Sequence, residues 1–218
     1  MISTRKKLLI FDLDGTIADT IYSIRDAINL TMDKYGLPRR DYEHVKRSVG
    51  NGARELVRRC LPDGIREDAE LAERAFCDYD ELYEQTYANI DGCYDGMSEA
   101  IHSLYEKGYM IAVLSNKQDA YVKKIIEILF PDGIMSYVAG QTELPKKPSP
   151  VVPLMIAESL GVKPENCAFI GDSDVDVLTG KNAGMTSVGC SWGYRPRETL
   201  EGADFVIDSP AELMEIFK

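Results

Sequence analysis

Residues 6–16 read KKLLIFDLDGT, and the fold class follows from how this stretch begins and ends. Residues 6–11 are a short apolar run that stops at an Asp/Gly turn, which predicts a buried strand leading into a loop. Asp12 and Asp14 lie two positions apart where this strand ends, so their carboxylates can point the same way. Because like charges that close repel, we expect a cation beside them. Alone, such an acidic turn is as often only a helix N-cap.

The chain beyond this stretch divides into a helical part and an alternating part. Between residues 20 and 89, apolar side chains recur at helical spacing without a strand pattern. After residue 98, strand and helix patterns alternate, which predicts right-handed crossovers and a parallel sheet covered on both faces. The predicted strands are 6–11, 109–114, 134–139, 167–170, 186–189 and 204–207. The predicted helices are 19–35, 53–61, 67–88, 98–106, 119–129, 151–160, 175–182 and 211–217.

These patterns predict an α/β protein with an insertion. Residues 1–16 and 95–218 are expected to form a Rossmann-like core with a parallel sheet. Residues 17–94 are expected to form an all-helical cap domain together with its hinges. The joints fall in loop-like stretches near residues 17–19 and 91–96.

Charge and cysteine content narrow the function classes. A net charge of −11 argues against nucleic acid and against an anionic membrane surface as partners. The five cysteines form no CxxC pair, so we expect free thiols in a reducing compartment. Only two histidines are present, which disfavours a catalytic histidine or a zinc site. The apolar run before Asp12 is too short for a secretory signal or a transmembrane span, so the cytoplasm is the expected location.

A second acidic cluster, GDSDVD at residues 171–176, follows the predicted strand 167–170. Asp172 and Asp176 are four positions apart and can share one side of a helix start. Acidic side chains also favour a helix N-terminus for electrostatic reasons alone. Carboxylates from two strand ends are, in addition, the hard oxygen ligands that Mg²⁺ prefers.

Two further polar clusters complete the pattern. Ser115-Asn116-Lys117 follows the strand 109–114, where a hydroxyl and backbone N–H groups suit phosphate oxygens, or where they simply cap a helix. The Lys146-Lys147-Pro148 loop is rigid enough to hold one lysine toward a site, or it is a solvated basic pair. Because ligands of open parallel sheets bind beyond the carboxyl ends of strands, we expect the four clusters to converge.

Taken together, the motifs resemble the phosphatases of the haloacid dehalogenase superfamily. The four motifs occur in order: DLDGT at 12–16, SN at 115–116, KP at 147–148 and GDSDVD at 171–176. The resemblance implies a Mg²⁺-dependent phosphatase that forms a transient aspartyl-phosphate. The presence of Asp14 disfavours the dehalogenase branch, in which that carboxylate is replaced.

The resemblance also implies a role for each matching residue. Asp12 resembles the nucleophile and a metal ligand. Asp14 resembles the general acid/base, with its backbone carbonyl on the metal, and we expect crowding by other carboxylates to raise its pKa. The remaining roles are metal ligand for Asp172, a metal-shell or lysine-orienting carboxylate for Asp176, and phosphate binding for Ser115, Asn116 and Lys147.

Other stretches narrow the substrate. VGNGA at 49–53, GYRPR at 193–197 and the ending ADFVIDSPAEL are similar to bacterial phosphoglycolate phosphatases. We therefore expect a small phosphorylated metabolite as the partner, a monomer or homodimer as the assembly, and Asn51 and Arg54 as cap contacts to a carboxylate-bearing substrate. The alternatives are a sugar-phosphate or pyrophosphate phosphatase, a sugar-phosphate mutase, or a non-catalytic regulator that accepts a phosphoryl group on Asp12.

Overall fold

The computed structural model describes residues 8–218, and positions 6 and 7 of the predicted first strand lie outside the described residues. The described chain forms two compact units, residues 8–19 with 92–218 and residues 20–91. Residues 17–19 and 92–94, which the sequence assigned to the insertion, thus lie in the first unit. The reason is a local pairing in which Ala18 bridges Cys93 and the Tyr94 N–H donates to the Ile17 carbonyl at 2.9 Å.

The first unit contains a six-stranded sheet in which all neighbouring strands are parallel. Its strand order is β3-β2-β1-β4-β5-β6, the order of a Rossmann fold. The predicted α/β fold with a Rossmann-like parallel sheet is confirmed. The strands are β1 (Leu8–Phe11), β2 (Met110–Gln118), β3 (Met135–Gln141), β4 (Cys167–Gly171), β5 (Thr186–Cys190) and β6 (Phe205–Ile207).

Strand β1 occupies the middle of this sheet. All four of its residues are 0% exposed, and successive side chains point to opposite faces, so the strand is covered on both sides. Its last residue, Phe11, pairs with Val113 of β2 and with Ile170 of β4. The polar residues that come directly after these three paired positions therefore lie at one edge of the sheet.

Helices connect the strands. Those of the first unit are α6 (Met97–Glu106), α7 (Asp119–Leu129), α8 (Val151–Ser159), α9 (Asp174–Asn182) and α10 (Leu213–Ile216). The predicted terminal helix 211–217 is shorter than expected, because a 3₁₀ turn at Pro210–Glu212 precedes α10. Ser209 and Glu212 form a capping box around this turn.

The second unit is all-helical over residues 20–91, as the sequence predicts. Its helices are α1 (Ile21–Lys34), α2 (Tyr42–Ser48), α3 (Ala53–Cys60), α4 (Asp63–Arg66) and α5 (Ala69–Tyr83). Helix α1 packs on α5, and Asp78 of α5 accepts hydrogen bonds from Lys34 Nζ and from the Tyr35 hydroxyl. The single helix predicted over 67–88 is shorter in the structure, because α5 covers only Ala69–Tyr83 and turns follow at residues 84–88.

Within residues 8–218, no helix combines the length and the apolar character needed to cross a membrane. All five cysteines carry free thiols, and Cys60, Cys167 and Cys190 are buried.

Candidate active site

Three buried carboxylates meet at the carboxyl ends of β1 and β4. Asp12 follows β1 and donates its backbone N–H to the Ile170 carbonyl at 2.9 Å, while Asp172 follows β4. Asp176 reaches the same place from the first turn of α9. The residues Asp12, Asp172 and Asp176 are 8%, 3% and 1% exposed, and one carboxylate oxygen of each lies within 4.8 Å of the others.

Lys147 is the cation of this cluster. Its Nζ lies 2.9 Å from Asp12 Oδ1 and 2.7 Å from Asp176 Oδ1. Burial by itself lowers the pKa of Lys147, but the charges of Asp12 and Asp176 outweigh burial and the pKa is raised. The ammonium therefore stays charged between two carboxylates.

The acidic cluster carries more negative charge than Lys147 can balance. Burial, opposed by Lys147, raises the pKa of Asp12 to about 7. Burial and the neighbouring charge of Asp176 raise the pKa of Asp172 to about 8. These three carboxylates fit a divalent metal ion, because they are hard oxygen donors whose buried charge needs a second cation.

Asp176 is the most fully engaged of the three. Besides Lys147, it accepts hydrogen bonds at Oδ2 from the Ser173 backbone N–H at 3.1 Å and from the Ser173 hydroxyl. Ser173 and Asp176 together form the capping box of α9. With both oxygens occupied in this way, Asp176 is arranged to orient Lys147.

Asp172 is closely surrounded by the DLDGT turn and by residues 193–194. Its Oδ2 accepts from the Tyr194 N–H at 2.6 Å, and its Oδ1 accepts from the Thr16 hydroxyl at 3.3 Å. Gly15 adopts a φ of 84°, and a Cβ there would lie 2.5 Å from Asp172 Oδ2. A Cβ on Gly193 would lie 2.2 Å from the Asp172 Cβ. The DLDGT turn therefore needs glycine both for its conformation and for its close approach to the second acidic cluster.

The segment that follows β5 also contacts residues at and after the end of the DLDGT turn. The Trp192 indole Nε1 donates to the Thr16 carbonyl at 3.1 Å, and the Tyr194 hydroxyl donates to Asp19 Oδ1 at 3.1 Å. Residues 192–194 thus connect Asp172 to the end of the DLDGT turn and to Asp19, which follows that turn.

Asn116 holds the loop that carries Lys147. Its amide oxygen accepts from the Lys147 backbone N–H at 2.9 Å, and its amide nitrogen donates to the Lys147 carbonyl at 3.2 Å. Ser115, next to it, is 3% exposed, and its hydroxyl accepts from the Lys117 N–H at 3.3 Å.

Asp14 faces a different cation. The Lys117 Nζ lies 2.8 Å from Asp14 Oδ1 and 3.1 Å from Oδ2. The two side chains are 8% and 10% exposed, Lys117 and Asp14 respectively. The tightest group of carboxylates is Asp12, Asp172 and Asp176. The charge of Asp14 also acts on Asp12 and contributes to its raised pKa, so Asp14 lies near this group while it contacts Lys117.

Residues 9–190 match the model of the haloacid dehalogenase-like hydrolase family. The chain belongs to the haloacid dehalogenase-like hydrolases. The match spans β1 to β5 and includes all four motifs, so the family assignment covers both acidic clusters, Ser115 and Lys147.

Relatives of this hydrolase are similar over nearly their whole length. The phosphoglycolate phosphatase of Vibrio parahaemolyticus is 34% identical over 220 residues, which cover 96% of this chain and 95% of the relative. That of Aquifex aeolicus is 32% identical over 212 residues, with 96% of each chain covered. A crystal structure of a predicted phosphoglycolate phosphatase from Haemophilus somnus has a TM-score of 0.90 and 26% identity, and covers 99% of this chain and 100% of that one. The prediction of a phosphatase of this family is confirmed.

The fold of this hydrolase brings most of the predicted residues together. Asp12, Asp172, Asp176 and Lys147 form one buried cluster, and Asn116 contacts Lys147 directly. Ser115 and Asn116 lie inside β2 rather than in a turn after it, because β2 runs on to Gln118 with an irregular register against β3.

The two predicted cap residues lie in the helical unit. Asn51 Oδ1 accepts from Arg59 Nη2 at 2.9 Å. Arg54 pairs with Glu73, and its guanidinium lies 4.1 Å from the centroid of the Phe76 ring. Their contact to substrate stays a prediction.

Sequence reasoning missed several residues of the site. Lys117 stands next to the predicted Ser115 and Asn116, and Tyr194 stands in the GYRPR stretch, in which no site residue was predicted. Ser173 lies inside the GDSDVD motif. In each case the signal was position beside a motif residue.

Proposed function

We propose that this haloacid dehalogenase-like hydrolase is a Mg²⁺-dependent phosphatase of small phosphate monoesters, with Asp12 as the nucleophile and phosphoglycolate as the leading substrate. The observation that best supports this chemistry is that Lys147 Nζ lies between Asp12 and Asp176 in a buried acidic cluster. The names of the relatives support the substrate.

The first half of the reaction forms the intermediate. An Asp12 carboxylate oxygen attacks phosphorus in line, the bond to the ester oxygen breaks, and the departing alcohol takes a proton from Asp14. Lys147 and Ser115 hold the equatorial phosphoryl oxygens and stabilise their charge. The products of this half are the free alcohol and an aspartyl-phosphate.

The second half restores the enzyme. Asp14, now ionised, accepts a proton from water as that water attacks phosphorus, and phosphate leaves Asp12. Asp176 and Asn116 keep Lys147 in place through both halves. A Mg²⁺ ion held by Asp12, Asp172 and the Asp14 backbone carbonyl would supply positive charge that lowers the repulsion between the carboxylate and the phosphate.

The deciding experiment measures phosphate release from phosphoglycolate, hexose phosphates, nucleotides and pyrophosphate, with Mg²⁺ and with chelator. Asp12→Asn should lower kcat by at least about a thousandfold. Asp174→Asn is the matched control, because Asp174 lies in the same helix start as Asp176 but is exposed. We expect phosphoglycolate to lead.

Other results would change the proposal in defined ways. If another ester is hydrolysed fastest, and chelator and Asp12→Asn still abolish phosphate release, the proposed chemistry stands and only the substrate changes. An isomerised sugar phosphate without net phosphate release would indicate a mutase. A wild type that accepts phosphate stably on Asp12 without turnover would indicate a regulator.

The compartment and the assembly belong to the same proposal. Five free thiols support the reducing cytoplasm, since oxidising compartments favour disulfides. The small phosphorylated metabolite remains the proposed partner, and a monomer or homodimer the proposed assembly.

A further inference from the structure

A partly buried lysine contacts the proposed general acid. Lys117 reaches Asp14 from β2, and its Nζ lies within hydrogen-bonding distance of both carboxylate oxygens, at 2.8 and 3.1 Å. Lys117 and Lys147 are thus two separate cations, one at Asp14 and one at Asp12. The proposed function uses only the second of them.

The position of Lys117 relates it to the leaving group. To give its proton to the ester oxygen, Asp14 must lie within hydrogen-bonding distance of that oxygen. A cation bonded to Asp14 is then about 5–6 Å or less from the ester oxygen, two hydrogen-bond lengths away. A carboxylate one carbon removed from the ester oxygen falls within this distance.

An ammonium group can form hydrogen bonds to Asp14 and to a substrate carboxylate at the same time. It has three N–H donors, so Lys117 can keep a hydrogen bond to Asp14 while donating another to an incoming anion. Its side chain is 8% exposed, and charge–charge attraction is stronger in such a site than in water.

We propose that Lys117 is a specificity-determining residue that binds the carboxylate of the leaving alcohol. The substrate class is then small phosphate monoesters of hydroxy acids whose carboxylate lies one or two carbons from the ester oxygen. This inference rests on the proposed function, because that function places Asp14 at the leaving oxygen. The inference adds a residue that recognises the leaving alcohol of the ester rather than its phosphoryl group.

The kinetic test compares two phosphate esters with the same two-carbon skeleton. Phosphoglycolate carries the carboxylate, and 2-hydroxyethyl phosphate carries a neutral hydroxymethyl group in its place. In Lys117→Gln, kcat/KM for phosphoglycolate should fall about 10- to 100-fold more than kcat/KM for the neutral ester, as expected for losing one charge-assisted hydrogen bond. Lys117→Arg, which retains the charge, should keep most of the preference.

The matched control is Lys123→Gln. Lys123 also pairs with an aspartate, Asp119, at 2.6 Å in the same unit, but its side chain is 54% exposed. It should leave the ratio between the two esters unchanged. Thermal melting of each variant shows that the fold is retained. Equal losses on both esters in Lys117→Gln would overturn the inference and leave the phosphatase proposal intact.

A binding test separates the two proposals. In the Asp12→Asn background, calorimetry measures the Kd of each ester with and without Lys117→Gln, independently of turnover. A selective loss of phosphoglycolate affinity supports the role of Lys117 even if the wild type hydrolyses neither ester, in which case only the proposed function fails. An unchanged difference between the two Kd values overturns the role of Lys117.

Discussion

The amide of Asn116 holds the backbone of Lys147 on both sides, with its oxygen 2.9 Å from the lysine N–H and its nitrogen 3.2 Å from the lysine carbonyl. The other end of the lysine, Nζ, lies between Asp12 and Asp176. Lys147 is therefore held both at its backbone and at its side-chain ammonium group. Asn116, which the sequence suggested as a phosphate contact, is arranged to act through Lys147.

We expect Asn116→Ala to lower kcat about 10- to 100-fold with a smaller change in KM, because a small displacement of Lys147 misplaces its charge relative to the reacting phosphoryl group. Steady-state kinetics on the leading substrate measures this. Asn182→Ala is the matched control, since Asn182 donates to the next carbonyl of the same loop, that of Pro148, but is exposed. Equal kcat values in the two variants would contradict the role of Asn116.

Asp176→Asn removes one of the two charges that hold Lys147. The expected result is a loss of kcat of about tenfold or more, because the ammonium loses a charge-assisted hydrogen bond of 2.7 Å. The exposed Asp174→Asn in the same turn should behave as the wild type. If Asp176→Asn also retained full kcat, Lys147 would not depend on Asp176 for its position.

The raised pKa values of Asp12 and Asp172 predict how metal binding depends on pH. Unfolded carboxyls titrate near 4, whereas the pKa values here are about 7 and about 8, so the metal-free folded state binds more protons between these limits. The free energy of unfolding of the metal-free protein should therefore fall as pH rises through this window. A cation needs the ionised carboxylates and displaces these protons.

We accordingly expect Mg²⁺ to raise the melting temperature more at pH 8 than at pH 6, with an apparent affinity roughly tenfold weaker per pH unit below the pKa for each proton displaced. Thermal melting with and without Mg²⁺ at both pH values measures this. Asp172→Asn should abolish the Mg²⁺-dependent shift. Identical shifts at pH 6 and pH 8 in the wild type would contradict the prediction.

Trp192 is the sole tryptophan of the chain and offers a direct probe of the site. Its indole donates to the Thr16 carbonyl, and the Thr16 hydroxyl donates to Asp172. Titrating Mg²⁺ into metal-free protein should therefore change the emission of Trp192, and Trp192→Phe should remove that signal. Constant emission across a titration that does raise the melting temperature would show that the indole does not sense the metal site.

The strands of the sheet were predictable from the sequence for a local reason. The apolar run that ends at Asp12 and the regular alternation after residue 98 are dictated by burial on both faces, and burial leaves a clear pattern. Element ends were less accurate. Strand β2 continues past Leu114 because it still pairs with β3 at Gln118, and this pairing leaves no mark in the residues themselves.

Within the site, the motif residues were predictable and their partners were not. The pairing of Asp14 with Lys117 joins residues 103 positions apart, and nothing in either segment specifies that contact. The same holds for the Tyr194 N–H on Asp172, since a backbone donor has no sequence signature. Which carboxylates lie closest together, namely Asp12, Asp172 and Asp176, depends on where each side chain points, and the motifs do not specify this.

The paired residues at the two ends of the insertion have a consequence for the history of such an enzyme. Because Ala18 bridges Cys93 and the Tyr94 N–H donates to the Ile17 carbonyl, the chain leaves the sheet-containing unit and returns to it at one point. A segment attached in this way is a module that can be exchanged for another without shifting the strands around it. The four motifs all lie outside residues 20–91, so recombination within that module leaves them intact. Hydrolytic chemistry and the helical module are free to diversify at different rates.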